Sequence, residues 1–179
     1  GKSKSTISTT LSVLRQLFKD LRRLEVIDEK IYNDLLEIKF KRQIGQRHKT
    51  WLEQEEVQKL LNNLNSEKMS IVRDRALIAI MTGCGLRRFE ISDLKITQMK
   101  QVQGRWAFTD IKGKGERYRT VAIPEYAMKC LEEWLDISKT VGKTDRIFFS
   151  IRKNGDIGNT MITPQGIREI VAKHSRNIL

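Results

Sequence analysis

At 179 residues the chain holds one sizeable domain plus a smaller piece, long enough to bury a true core. A hydrophobic fraction of 39% excludes intrinsic disorder, and no apolar run reaches membrane-spanning length. Lys and Arg number 34 against 22 Asp and Glu, a formal net charge of +12 that argues for a polyanionic partner, nucleic acid first, although a merely soluble basic protein has the same balance.

The start, Gly1-Lys2-Ser3-Lys4, is polar and lacks an initiating Met, which suggests a processed product or an excised piece. Ile7, Leu11, Leu14, Leu17, Phe18, Leu21 and Leu24 recur at helical spacing and predict an amphipathic helix from about Ser5 to Glu25. Its other face is basic, with Arg15, Lys19, Arg22 and Arg23; such a face is usually just solvated, yet it also suits a phosphate backbone. A shorter helix is expected near Asp28 to Glu37. Residues 39–50 are polar, basic and glycine-interrupted, and read as a linker that places Lys41, Arg42 and Arg47 along a duplex, or as a charged flexible connector.

From Glu53 a new helix begins with an acidic first turn, Glu55-Glu56, as the helix dipole prefers, and with it a second domain spanning residues 51–179. Ile71 to Met81 is dense in apolar residues and predicts a buried helix ending at Gly83 and Gly85. Next comes Leu86-Arg87-Arg88-Phe89-Glu90, where the arginines open another helix and Glu90 lies on the face of Arg87, able to hold its guanidinium in one orientation. Unpaired amide groups and the dipole at such a helix start welcome an anion, so Arg87 and Arg88 suit a phosphate. A solvated arginine with an incidental glutamate fits the same residues equally well.

Trp106 to Lys112 and Arg117 to Ile123 are aromatic and β-branched and flank Gly113-Lys114-Gly115-Glu116, the pattern of a β-hairpin with Lys114 at its tip. Trp106, Phe108 and Tyr118 read as sheet core. Pro124 ends the strand; Met128, Leu131, Trp134 and Leu135 mark a helix to about Ser138, and Ile147-Phe148-Phe149 a third short strand before a turn-rich loop. Thr163-Pro164 starts the last helix with a capping hydroxyl and a first-turn proline. The sum is a mostly α chain with a small antiparallel β-sheet, an α+β fold. The two cysteines, Cys84 and Cys130, lack metal-ligand spacing and read as reduced intracellular thiols.

Gly85-Leu86-Arg87-x-x-Glu90 after a buried helix, followed by the Gly113-Lys114-Gly115 hairpin and then Arg119, Val121 and Pro124, resembles the tyrosine recombinase (phage integrase) family. Residues 1–38 are similar to the last helices of that family's helical, SAM-like core-binding domain, though Glu29-Lys30 stands where an Asn-Pro pair is common. The resemblance implies a fragment cut at both ends, part of the core-binding domain plus the first half of the catalytic domain. It implies that Arg87 contacts the scissile phosphate, that Lys114 protonates the leaving 5′ oxygen, and that Glu90 supports Arg87. Arg15, Lys19, Arg22, Lys41, Arg42, Arg47, Arg88, Arg117 and Arg119 are the candidate DNA contacts. No metal or other cofactor is expected.

The family's His-x-x-Arg motif and tyrosine nucleophile have no counterpart here: His174-Ser175-Arg176 is one residue short, and Tyr32, Tyr118 and Tyr126 stand elsewhere. The expectation is a DNA-binding fragment of a site-specific recombinase that cuts and rejoins double-stranded DNA through a 3′-phosphotyrosyl link. By itself it would be monomeric and inactive in cleavage, with a parent that is cytoplasmic, nucleoid-associated and tetrameric on paired DNA sites. A non-catalytic DNA-binding regulator derived from a recombinase would have the same sequence. A metal-dependent nuclease built on Asp110 and Glu90, an RNA-binding module and a P-loop protein all fit less well.

Overall fold

The computed structural model describes residues 4–38, 52–139, 145–152 and 155–176 of the chain, which divides into two compact units, Gly1–Thr50 and Trp51–Leu179. Helices alternate with short antiparallel strands, so the α+β class holds.

The first unit is a pair of helices, α1 (Lys4–Arg23) and α2 (Glu29–Glu37). Asp28 caps α2 by accepting from the Ile31 N–H at 2.8 Å, satisfying one of the unpaired donors at the helix start. Ile7, Leu11, Phe18 and Leu21 on α1 and Tyr32 and Leu35 on α2 are only half-buried, as expected where two helices have too little surface to enclose a core. The expected linker and its Lys41, Arg42 and Arg47 lie outside the described residues.

The second unit starts with α3 (Gln54–Asn63), where Glu56 reaches back to the Glu53 N–H at 2.8 Å. The helix α4 (Met69–Cys84) is buried around its whole circumference and packs on α6 (Glu125–Lys139). Leu77, Ile80, Leu131 and Trp134 are inaccessible at the centre of this layer, and the Trp134 indole donates to the Ile147 carbonyl at 2.8 Å. The helix ends at the expected pair of glycines, and they serve different purposes. Gly83 lies inside the last turn against α6, where a Cβ would come within 2.9 Å of the Tyr126 hydroxyl. Gly85 is the stop: its φ of 60° is left-handed, and its N–H donates to the Met81 carbonyl.

A short helix follows, α5 (Arg88–Ser92), then a 3-10 turn (Ile96–Gln98) and a sheet in the order β1-β2-β3, made of β1 (Met99–Val102), β2 (Arg105–Lys112) and β3 (Tyr118–Ala122). The predicted hairpin is β2 and β3. Sequence reading missed β1, a polar, mostly exposed edge strand with no hydrophobic alternation to signal it. A bulge between Phe108 and Ile111 re-aims β2, with Asp110 at a φ of 56°. Phe108 is fully buried and Trp106 half-buried, but Tyr118 is 62% exposed, which corrects its reading as sheet core.

Ile147 and Phe148 belong to the core but precede the strand, which is β4 (Phe149–Ile151), and β4 pairs with β5 (Ile157–Met161) inside the segment expected to be a loop. The last helix, α7 (Pro164–Ser175), starts as expected, with the Thr163 hydroxyl accepting from the Gly166 N–H at 3.0 Å. No described helix is long and apolar enough to cross a membrane.

Candidate functional site

Gly85, Arg87, Gly113, Arg117, Tyr118 and Arg119 line an open cleft of about 550 Å³ between the start of α5 and the β2–β3 turn. Two distant parts of the sequence meet here. Arg87 is the residue preceding α5, in extended conformation, and its side chain is 72% exposed. Glu90, one turn on, is almost wholly buried, with 6% of its side chain accessible.

The Glu90 carboxylate organises the cleft. It accepts from the Arg87 N–H at 2.8 Å and from Arg87 Nη1 at 3.1 Å, and it takes a bidentate pair from Arg119, Nη1 to Oε1 at 2.9 Å and Nη2 to Oε2 at 2.8 Å. The Arg119 hydrogen bonds above all, and then the Arg87 backbone and side chain, outweigh the burial that would raise the Glu90 pKa, and bring it from 4.5 down to about 2. Arg119 is correspondingly raised by its bond to Glu90. Glu90 is thus a fixed anion and an acceptor only, the wrong protonation state for a general acid and too acidic for a base near neutrality. Its grip on one Nη of Arg87 leaves the rest of that guanidinium lining the cleft.

The expected anion site at a helix dipole needs correction. The α5 helix is five residues long, too short to sum an appreciable dipole, and Glu90 already occupies the first amide. Positive charge in the cleft comes from guanidinium groups. Arg117 joins Arg87 and Arg119 in lining it, whereas Arg88 turns away and donates to the Pro164 carbonyl of α7 at 3.4 Å. Lys114 stands in a single 3-10 turn, Lys114–Glu116, directly after cleft-lining Gly113. Tyr118, the one aromatic in the lining, was taken for core because the strand pattern does not show which face of β3 is covered.

In the first unit Lys19 is exposed, Arg15 donates to the Ile38 carbonyl at 2.7 Å, and Arg22 pairs with Glu29 at 2.9 Å and lies 4.6 Å over the Tyr32 ring. Two of these three basic residues therefore already have intramolecular partners. Sequence reasoning also missed a buried cluster: Asp74 of α4 accepts from Arg73 Nη2 at 2.6 Å and meets His174 Nε2 of α7 at 2.9 Å. An Arg-Asp pair inside an otherwise apolar helix was the available signal. Burial pushes the thiol of Cys84 up to about 11 and raises that of Cys130, so neither is a nucleophile at neutral pH. Among the described residues no group of three His, Cys, Asp or Glu side chains could hold a metal ion.

A family model described as the phage integrase family matches residues 50–176. The chain belongs to that family. Its match covers the cleft and every element that builds it. Curated relatives include the tyrosine recombinase XerC of Alcanivorax borkumensis, 27% identical over 98% of this chain and 54% of that protein. Another is XerC of Lactobacillus leichmannii, 30% identical over 76% of this chain and 44% of that one. A solved structure of the XerH site-specific recombinase bound to its difH substrate in a pre-cleavage complex has the same fold, with a TM-score of 0.59 and 24% identity over 98% of this chain and 50% of that one. The chain spans about half the length of the curated relatives it matches.

Proposed function

We propose that this member of the integrase family is the DNA-binding part of a site-specific recombinase that cuts and rejoins double-stranded DNA through a 3′-phosphotyrosyl intermediate. The observation that carries this reading is Arg87: an exposed guanidinium, held by the buried Glu90, in a cleft also lined by Gly113 and Arg117, which flank the turn bearing Lys114. A guanidinium matches a phosphodiester in shape and stays charged while negative charge builds up in the transition state. Arg87 is the contact to the scissile phosphate. Lys114 is the general acid for the leaving 5′ oxygen, since a lysine ammonium can hand a proton to a departing alkoxide. Residues 1–38 are the last helices of a core-binding domain and residues 51–179 a large part of the catalytic domain. Arg15, Lys19, Arg22, Arg88 and Arg117 follow the flanking backbone; for Arg15, Arg22 and Arg88 this means exchanging an intramolecular partner for a phosphate. The whole protein is a tetramer on paired sites and works in the cytoplasm on the nucleoid.

None of the chain's 3 tyrosines matches the nucleophile's place, so this chain binds duplex DNA without cleaving it. Incubation with an end-labelled duplex followed by boiling in detergent tests this. Labelled DNA is expected to leave the protein. Label that stays attached would refute the assignment and make Tyr118, the tyrosine in the cleft, the first residue to replace with phenylalanine.

A further inference from the structure

We propose that Arg119 is a positioning residue for Arg87 and not a contact to DNA, an inference that rests on the phosphate-binding role given to Arg87 above. The two strands of the β2–β3 hairpin carry the argument. Along β3 exposure alternates, so Arg119 and Val121 are turned inward while Tyr118, Thr120 and Ala122 are turned out. Val121 packs against the core, and one pleat before it Arg119 meets Glu90. Both terminal nitrogens of Arg119 donate there, at 2.9 and 2.8 Å, which fixes the plane of its guanidinium. Each Glu90 oxygen then receives one bond from Arg119 and one from Arg87, so the carboxylate is shared between two cleft-lining guanidinium groups, that of Arg119 anchored in the sheet and that of Arg87 twice as exposed.

Without Arg119, Glu90 would be a buried carboxylate held only by the residue it is meant to steer, and the Arg87 guanidinium would lose its fixed reference. Gly113, which leads into the Lys114 turn, lies beside this pair: a Cβ there would come within 3.5 Å of Arg119 Nη1 and 3.3 Å of the Arg117 carbonyl. Lysine at position 119 keeps the charge but cannot make the two-pronged bond.

The test is a double-mutant cycle on the full 179-residue chain, reading affinity for a fluorescein-labelled duplex at low salt. R87A is expected to weaken binding about tenfold. R119K should weaken it roughly fivefold in the unaltered chain but by less than about twofold in the R87A background, since Arg119 then has nothing left to aim. Equal losses in both backgrounds, or full affinity in R119K, would overturn the proposal. Guanidinium NMR signals of the unaltered chain give a reading that needs no variant to fold: on adding duplex, those of Arg87 should shift and those of Arg119 stay. Equal shifts overturn the proposal. Unchanged binding in R87A would overturn the assignment of Arg87 itself, whereas additive losses would overturn only the role of Arg119.

Discussion

Glu90 is where a single side chain decides most about the cleft. Two guanidinium groups and a backbone N–H converge on a carboxylate with almost no water contact, and they hold its pKa near 2 against an ordinary 4.5. A carboxylate with a lowered pKa contributes stability that is complete above its unfolded value and is lost as pH falls through its folded value. The chain should therefore lose this contribution between about pH 4.5 and about pH 2. Glu90→Gln removes the ion pair and leaves Arg119 without its partner. It should lower stability by about 2 kcal/mol at neutral pH. Urea melts at several pH values check both points. The difference between the two proteins should shrink through that acid window, and a constant difference would mean that Glu90 is not ionised by its neighbours.

At the scale of elements, the cleft depends on α4 being held still, since α4 leads through Gly85 straight to Arg87. It is held by α6. Leu77, Ile80, Leu131 and Trp134 are all inaccessible in this layer, and Trp134 both packs on Phe149, with ring centroids 5.0 Å apart, and donates to the Ile147 carbonyl. Leu131→Ala leaves a cavity that the surrounding helices cannot close, and should cost about 2–5 kcal/mol. Chemical denaturation followed by tryptophan fluorescence will show it, and a loss under about 1 kcal/mol would mean that this layer relaxes freely. From α7, His174 meets Asp74 of α4 at 2.9 Å, so both faces of the buried helix are restrained through side chains from later in the chain.

For the whole molecule, the excess of positive charge sets how it meets a polyanion. If guanidinium and ammonium groups neutralise phosphates, the logarithm of the affinity for duplex should fall linearly with the logarithm of salt, with a slope of roughly −0.9 per phosphate neutralised. A titration between low and moderate salt measures it. A flat response would sink the electrostatic account, because contacts to base edges alone release few counterions.

Much of this protein was legible before any coordinates. Helical periodicity, the acidic first turn of α3, the Thr163-Pro164 start of α7 and the glycine-bracketed hairpin are local signals, and local signals depend on backbone and solvent preferences that a short window contains. Arg87 and Glu90 are one helical turn apart, so even their pairing was readable. The strands β1 and β5 were not, since an exposed edge strand and a strand amid turn residues are defined by what they pair with, not by their own composition. Tyr118 and Arg119 show the same limit within two residues. Alternation says that one faces in and the other out, but only the approach of α5 to β3 decided that the inward arginine finds a buried carboxylate 29 positions back and that both side chains line one cleft.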